Sequence, residues 1–114
     1  MAVVEELISA AKQLSTACDK AIQKIERKTI VAHATNPLDY AWQHHEQYLI
    51  NWGGLGAKTL LLGMNPGPWG MAQSGVPFGS TNIAKTLLQI KPFQLETPPN
   101  AHPKRPIIGL DLER

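Results

Sequence analysis

The first 28 residues carry apolar side chains at the spacing of an α-helix. Seven apolar residues follow one another at intervals of three and four positions in turn: Val4, Leu7, Ala11, Leu14, Cys18, Ala21 and Ile25. This spacing places them on one face of a helix over residues 3–28. Such a face is buried either by docking on the rest of the domain or by pairing in a coiled-coil dimer. Because three members of the stripe are small, we expect residues 1–28 to form a docking helix.

After residue 28 the pattern predicts short alternating elements. Asn36-Pro37 is a helix-start signal, and a second helix is expected from Leu38 to Trp52. The apolar run Lys58–Gly63, bounded by glycines, is typical of a strand buried on both faces of a parallel sheet. A third helix is expected from Ser80 to about Ile90, and Ile107–Leu110 could form another short strand. The alternation predicts an α/β fold with a parallel sheet.

A loop rich in glycine and proline follows the predicted strand. All nine glycines and eight of the nine prolines lie after residue 52. Loops at the carboxyl ends of parallel strands are where ligands bind in α/β folds. Stiff prolines, the amide of Asn65 and the rings of Trp69 and Phe78 would suit a planar, polar heterocycle such as a nucleobase. The alternative is a structural turn with both rings in the core.

Charge and cysteine content limit the chemistry of this loop. The net charge is +2, and no Asp or Glu occurs between Glu46 and Glu96. Asn65 could therefore orient a water molecule, but no carboxylate nearby in sequence could accept its proton. The single Cys18 has no disulfide partner, and neither it nor the His44-His45 pair has the spacing of a metal site. No apolar run could span a membrane and no secretory signal is expected, so we expect an intracellular protein.

The run GMNPGPWGMAQSGVPFG, residues 63–79, resembles the first catalytic motif of the single-strand-selective monofunctional uracil-DNA glycosylases. The likeness extends from about residue 30 to 110, through Asn36–Trp42, Thr97–Pro99 and His102–Pro106. It implies a three-layer α/β/α domain with a parallel sheet, of which this chain supplies only the N-terminal part. Residues 58–79 would be a strand and the active-site loop of that domain.

The resemblance also implies an activity and a set of site residues. Members of the family hydrolyse the N-glycosidic bond of flipped-out uracil or 5-substituted uracil during base excision repair, without a metal or cofactor. By resemblance, Asn65 positions the attacking water, Phe78 stacks on uracil, and Met64 lines the pocket. Gly67 leaves room for a substituent at C5. The implied partner is uracil-containing DNA, single- or double-stranded. We expect a monomer at full length, in the nucleus of a eukaryote or the cytoplasm and nucleoid of a bacterium.

Departures from the family pattern leave alternatives open. The family's His-Pro-Ser motif and its uracil-reading Asn lie further along the chain and have no counterpart here. His102-Pro103 is a poor substitute, because Lys104 stands where Ser is required. We therefore expect residues 1–114 to be an incomplete portion of one domain, inactive alone. The alternative function is a catalytically dead remnant that binds DNA or a nucleobase. Lys104 and Arg105 could contact a DNA phosphate or form a solvated turn.

Overall fold

A computed structural model describes residues 2–28 and 30–113 of the chain. Over these residues the regular elements are five helices and one 3-10 turn, joined by turns and by segments without regular secondary structure. The elements are α1 (Ala2–Lys28), α2 (Pro37–Tyr40), α3 (Trp42–Trp52), α4 (Met71–Ser74), α5 (Thr81–Thr86) and the 3-10 turn Gly109–Asp111. None of the described helices is long and apolar enough to cross a membrane.

Helix α1 lies against α2 and α3 of the same chain. The contact is pinned by buried Asn36, whose Nδ2 donates hydrogen bonds to the Ser15 carbonyl at 3.0 Å and to Asp19 Oδ1 at 3.1 Å. Leu7 and Leu14 of the predicted apolar stripe remain 37% and 55% exposed. The face that α1 buries is therefore rotated from the predicted stripe toward Ser15 and Asp19, since Asn36 fixes its orientation.

The predicted helix over residues 38–52 is present in two pieces. It begins as expected, because the Asn36 side chain accepts a hydrogen bond from the Leu38 N–H at 3.1 Å and Pro37 occupies the first turn. It breaks at Ala41, whose φ of −108° and ψ of 24° are not helical. Ala41 is fully buried, and a Cβ added at Gly75 would lie 2.8 Å from the Ala41 Cβ. The break thus occurs where the backbone that follows α4 packs closely against it.

The predicted parallel sheet is wrong for this chain. Residues 58–63 have no regular secondary structure, and no strand or sheet occurs among the described residues. The run is also not buried: Leu60, Leu61 and Leu62 are 87%, 72% and 90% exposed. The second expected strand, Ile107–Leu110, instead enters the 3-10 turn, with Gly109 at a φ of 85°. A strand is stable only when a neighbour pairs with its backbone, and the described residues supply no such neighbour. The fold is helical, not α/β/α.

The three exposed leucines of residues 60–62 lead to a prediction about self-association of the chain. A contiguous apolar run on the surface favours self-association. We expect Leu60→Lys combined with Leu62→Lys to lower the sedimentation coefficient of the chain toward the monomer value. Because both side chains already lie in solvent, unfolding free energy should change by no more than about 0.5 kcal/mol.

Leu55→Lys is the matched control for this substitution. Leu55 is 70% exposed but lies outside the run, so its replacement adds charge and leaves the apolar surface in place. A wild-type chain that sediments as a monomer at all concentrations would contradict the prediction.

The hydrophobic core lies where α3, α4, α5 and the 3-10 turn meet. Its fully buried members are Val76, Ala84, Ile90 and Leu110, with Tyr48 and Leu88 packed against them. Helix α5 begins at its predicted cap, since Ser80 Oγ accepts a hydrogen bond from the Ile83 N–H at 3.2 Å. It ends at Thr86, earlier than expected. Gln89 then has a φ of 55°, in the left-handed region, and this turn of the backbone places Ile90 in the core. Val76, the first residue of the segment Val76–Gly79, is also anchored in this core.

Candidate active-site loop and cleft

The loop of residues 63–79 is closed at its C-terminal end by a buried serine. Ser74 Oγ donates a hydrogen bond to the Gly79 carbonyl at 2.7 Å and accepts one from the Val76 N–H at 3.1 Å. The Gly79 N–H donates to the Val76 carbonyl at 2.9 Å, which completes a four-residue turn. The hydroxyl therefore holds this turn; from the sequence, Ser74 and Gln73 were assigned no chemistry beyond helping to hold the loop.

Phe78 projects from this turn into solvent. Its φ of 57° lies in the left-handed region, which costs a non-glycine residue about 1–2 kcal/mol. The ring is 68% exposed, so the alternative that places Phe78 in the core is wrong. A Cβ added at Gly63 would lie 3.2 Å from Phe78 Cζ, so the ring lies across the glycine that begins the loop. The turn thus holds an open aromatic face beside Gly63 and the residues that follow it.

The residues just after Gly63 present their side chains outward. Met64 is 98% exposed. Asn65 is exposed, and its Nδ2 donates only a local hydrogen bond, to the Pro66 carbonyl at 3.2 Å. Among the described residues no group donates to Asn65 Oδ1, so this oxygen is open to a ligand. A Cβ at Gly67 would meet nothing closer than the Gly70 nitrogen at 4.0 Å, so there is open space above this glycine.

Asn65 also lines a cleft between the loop and the later part of the chain. The cleft has a volume of about 280 Å³. Polar residues that line it from outside the loop are His33, Thr35, Asn100, His102 and Arg105; the other lining residues are Pro37, Pro66, Pro68, Ala72, Ala101 and Ile107. Of the four predicted site residues, only Asn65 lines this cleft; Met64, Gly67 and Phe78 do not. The Phe78 ring therefore lies beside Gly63, whereas Asn65 shares a cleft with residues from the segment 100–107.

Gln73 fixes the width of this cleft. Its side chain is fully buried, and its amide uses all four of its hydrogen-bonding positions. Nε2 donates to the carbonyls of Pro68 at 3.1 Å and Pro106 at 2.7 Å. Oε1 accepts from the N–H groups of Ile108 at 2.7 Å and Gly109 at 3.0 Å. One side chain therefore joins the loop to the segment that forms the opposite wall.

Side chains from α2 and α3 hold the other side of the loop. The Tyr40 hydroxyl donates to the Ala72 carbonyl at 2.5 Å, and His45 Nδ1 donates to the Gly75 carbonyl at 2.9 Å. Burial raises the pKa of Tyr40 to about 12, although a hydrogen bond with Thr35 acts in the opposite direction. The tyrosine is therefore a neutral donor at physiological pH, and α4 is tied to α2 and α3 through its backbone.

The adjacent histidines of α3 are structural. His44 is fully buried, and its Nε2 accepts a hydrogen bond from the Phe93 N–H at 2.9 Å. His45 makes the contact to Gly75 described above. Nowhere in the described part of the chain do three or more His, Cys, Asp or Glu side chains form a group that could hold a metal ion.

Burial of these two histidines predicts a pH dependence of stability. It lowers the pKa of both His44 and His45 below the ordinary 6.5, and backbone hydrogen bonds only partly oppose it. Below pH 6.5 the unfolded chain therefore binds protons that the folded chain does not. The free energy of unfolding should be constant above neutral pH. It should fall as the pH drops through 6.5, by at most about 1.4 kcal/mol per pH unit for each histidine.

Urea unfolding monitored by tryptophan fluorescence from about pH 8 to pH 5 measures this slope. His45→Gln removes one of the two titrating groups and keeps a side chain that can donate to Gly75. The slope should fall by up to half in this variant. A wild-type free energy of unfolding that rises as the pH drops from 7 would contradict the assignment.

Comparison with known proteins then gives the loop a family context. The chain is 50% identical over 76 residues, 67% of its length, to the single-strand selective monofunctional uracil DNA glycosylase of Mus musculus. The same identity and coverage hold for the rat protein of that name, and the bovine protein is 40% identical over 90 residues, 79% of the chain. The resemblance to the single-strand-selective monofunctional uracil-DNA glycosylases is confirmed. No protein-family model matches the chain.

The match covers only part of these glycosylases. It spans 27% of the mouse and rat proteins and 33% of the bovine protein. The activity of the whole glycosylases is therefore a proposal when it is applied to this chain.

Proposed function

We propose that this chain provides the water-positioning and base-stacking part of a DNA N-glycosylase that removes uracil or 5-substituted uracil in base excision repair. The observation that supports this most directly is Phe78. A strained, hydrogen-bonded turn holds its ring open beside Gly63, two residues from Asn65. Aromatic faces of this kind stack on an unpaired base. The names of the relatives supply the base and the reaction.

In this proposal Asn65 orients the water molecule. Water adds to C1′ of the deoxyribose while the bond between C1′ and N1 of uracil breaks. Uracil leaves with the bonding electron pair, and the proton of the water passes to solvent. Asn65 Oδ1, which is open among the described residues, accepts a hydrogen bond from the water but takes no proton. The rate enhancement then comes from positioning and electrostatics.

The other two site residues act on the base. Met64 lines the base pocket with its backbone, because its side chain points into solvent. The open space above Gly67 accommodates a substituent at C5 of uracil. The substrate is uracil-containing DNA, and no metal or cofactor takes part. We place the full-length protein, as a monomer, in the compartment that holds this DNA: the nucleus of a eukaryote or the nucleoid of a bacterium.

A segment exchange tests the proposal. Residues 30–110 of this chain replace the corresponding segment of the mouse glycosylase, and the chimera is incubated with a single-stranded oligonucleotide that contains one uracil. Alkali should then cut the strand at that position and leave the thymine-containing strand intact. The unmodified mouse protein is the positive control. A folded chimera that binds the oligonucleotide without releasing uracil would favour the alternative of a binding remnant.

A further inference from the structure

Residues 102–105 form a β-turn at the wall of the Asn65 cleft. The Arg105 N–H donates to the His102 carbonyl at 2.9 Å, and the Lys104 N–H donates to His102 Nδ1 at 3.0 Å. Pro103 occupies the second position of the turn, which its fixed φ favours. The first and fourth residues of a β-turn lie close together, whereas the third lies at its tip. Accordingly His102 and Arg105 line the cleft, and Lys104 does not.

Hydrogen bonds of Asn100, one of them to a residue of α1, position this wall. Asn100 Nδ2 donates to Glu26 Oε1, and the Asn100 carbonyl accepts from His33 Nδ1 at 3.1 Å. The ring of His33 in turn contacts the edge of the His102 ring, with centroids 4.7 Å apart. Since Glu26 is occupied by Asn100 and does not line the cleft, the turn is positioned without a carboxylate entering the cleft.

The chemistry of the cleft suits an anion. None of its lining residues is Asp or Glu, whereas Arg105 contributes a permanent positive charge. In its neutral form His102 accepts through Nδ1, which leaves Nε2 as a hydrogen-bond donor. The volume of about 280 Å³ is close to the lower end of ligand pockets and is sufficient for a sugar-phosphate unit.

We propose that the cleft holds a phosphodiester of the DNA strand, with the Arg105 guanidinium as its main contact and His102 as a second donor. This inference rests on the proposed function, because it takes the strand that presents its base to the Asn65 loop as the ligand. Arg105 then positions the strand, and Asn65 on the opposite side of the cleft acts at the sugar. Lys104, at the tip of the turn, contributes only long-range attraction.

The adjacent cations Lys104 and Arg105 provide a matched pair of variants for the test. Binding of the 114-residue chain to a fluorescent single-stranded thymine oligonucleotide is followed by anisotropy at several salt concentrations. Arg105→Gln should weaken binding about tenfold and reduce the slope of log K against log salt by about 0.7, the loss of one phosphate contact. Lys104→Gln, which removes the same charge, should change the affinity less than threefold and leave the slope nearly unchanged.

The outcomes separate this inference from the proposed function. Equal effects of the two substitutions, or a wild-type chain that does not bind at concentrations of about 10⁻⁴ M, would overturn the phosphate contact. Arg105→Lys keeps the positive charge. Its slope of log K against log salt should therefore be close to that of the wild-type chain. Circular dichroism of each variant confirms the fold, which Arg105→Gln retains because the turn uses only the Arg105 backbone. The oligonucleotide lacks uracil, so this binding measurement does not depend on uracil release. If the chimera fails to release uracil, the proposed function fails but the phosphate contact does not.

Discussion

Replacing Asn65 with Ala in the chimera should lower the rate of uracil release by about a hundredfold or more, while binding of the uracil-containing strand changes little. The side chain is exposed and its hydrogen bond within the described structure is to the Pro66 carbonyl of the next residue, so its loss should disturb the packing little. What disappears is the acceptor that orients the water for attack at C1′. None of the described residues that line the cleft with Asn65 is Asp or Glu, so no carboxylate of this segment replaces this function.

Asn82→Ala is the matched control for this experiment. Asn82 is exposed on α5 and does not line the cleft, so the same substitution there should leave the rate unchanged. Single-turnover kinetics with excess enzyme separate the chemical step from binding. An Asn65→Ala chimera as fast as its parent would remove Asn65 from the mechanism. A variant that loses binding and rate equally would show that Asn65 contacts the ground state.

The largest effect on stability is expected from Gln73→Ala. The substitution leaves four backbone groups around the site without their partner: two carbonyls and two N–H groups. Buried polar groups without a partner cost about 1–3 kcal/mol each, and some of the four will become hydrated. We expect unfolding free energy to fall by about 3–5 kcal/mol, a large part of the stability of a small domain. Urea unfolding measures the loss.

Two further variants test the cause of this loss. Gln43→Ala makes the same change at an exposed position of α3, where the free energy should change by less than about 0.5 kcal/mol. Gln73→Glu keeps the shape of the side chain but removes the two donors to Pro68 and Pro106, and it should be nearly as destabilising as Gln73→Ala. If Gln73→Glu is as stable as wild type, the hydrogen bonds of Gln73 do not join the two walls of the cleft.

Capping residues in the sequence predicted correctly where helices α2 and α5 begin. The sequence did not predict the break at Ala41 or the early end of α5. The caps at Asn36 and Ser80 act as expected, because a capping side chain bonds to backbone two or three residues away. The break at Ala41 and the early end of α5 depend on distant contacts. Gly75 packs against Ala41, and the turn at Gln89 returns Ile90 to the core. No periodicity in the sequence reports such contacts.

The candidate site shows the same division. The motif from Gly63 to Gly79 indicated Asn65 and Phe78 as chemically important. However, His33, His102 and Arg105, which share a cleft with Asn65, lie 32 to 40 residues away from it in sequence. Gln73 and Ser74 were expected from the sequence only to help hold the loop, because the backbone groups that a buried side chain joins are not visible in the sequence. The partners of such residues are found from the structure alone.

By itself the sequence determined the family and the absence of a carboxylate near Asn65 in the chain, since both follow from residue types and their order. Only the tertiary structure decided that residues 58–63 form no strand, that Phe78 faces solvent and that Arg105 rather than Lys104 reaches the cleft. The physical reason is that a strand, a strained turn and a cleft all depend on backbone hydrogen bonds and contacts between distant segments. An apolar run specifies which residues favour burial, but only a partner with matching backbone groups makes it a strand.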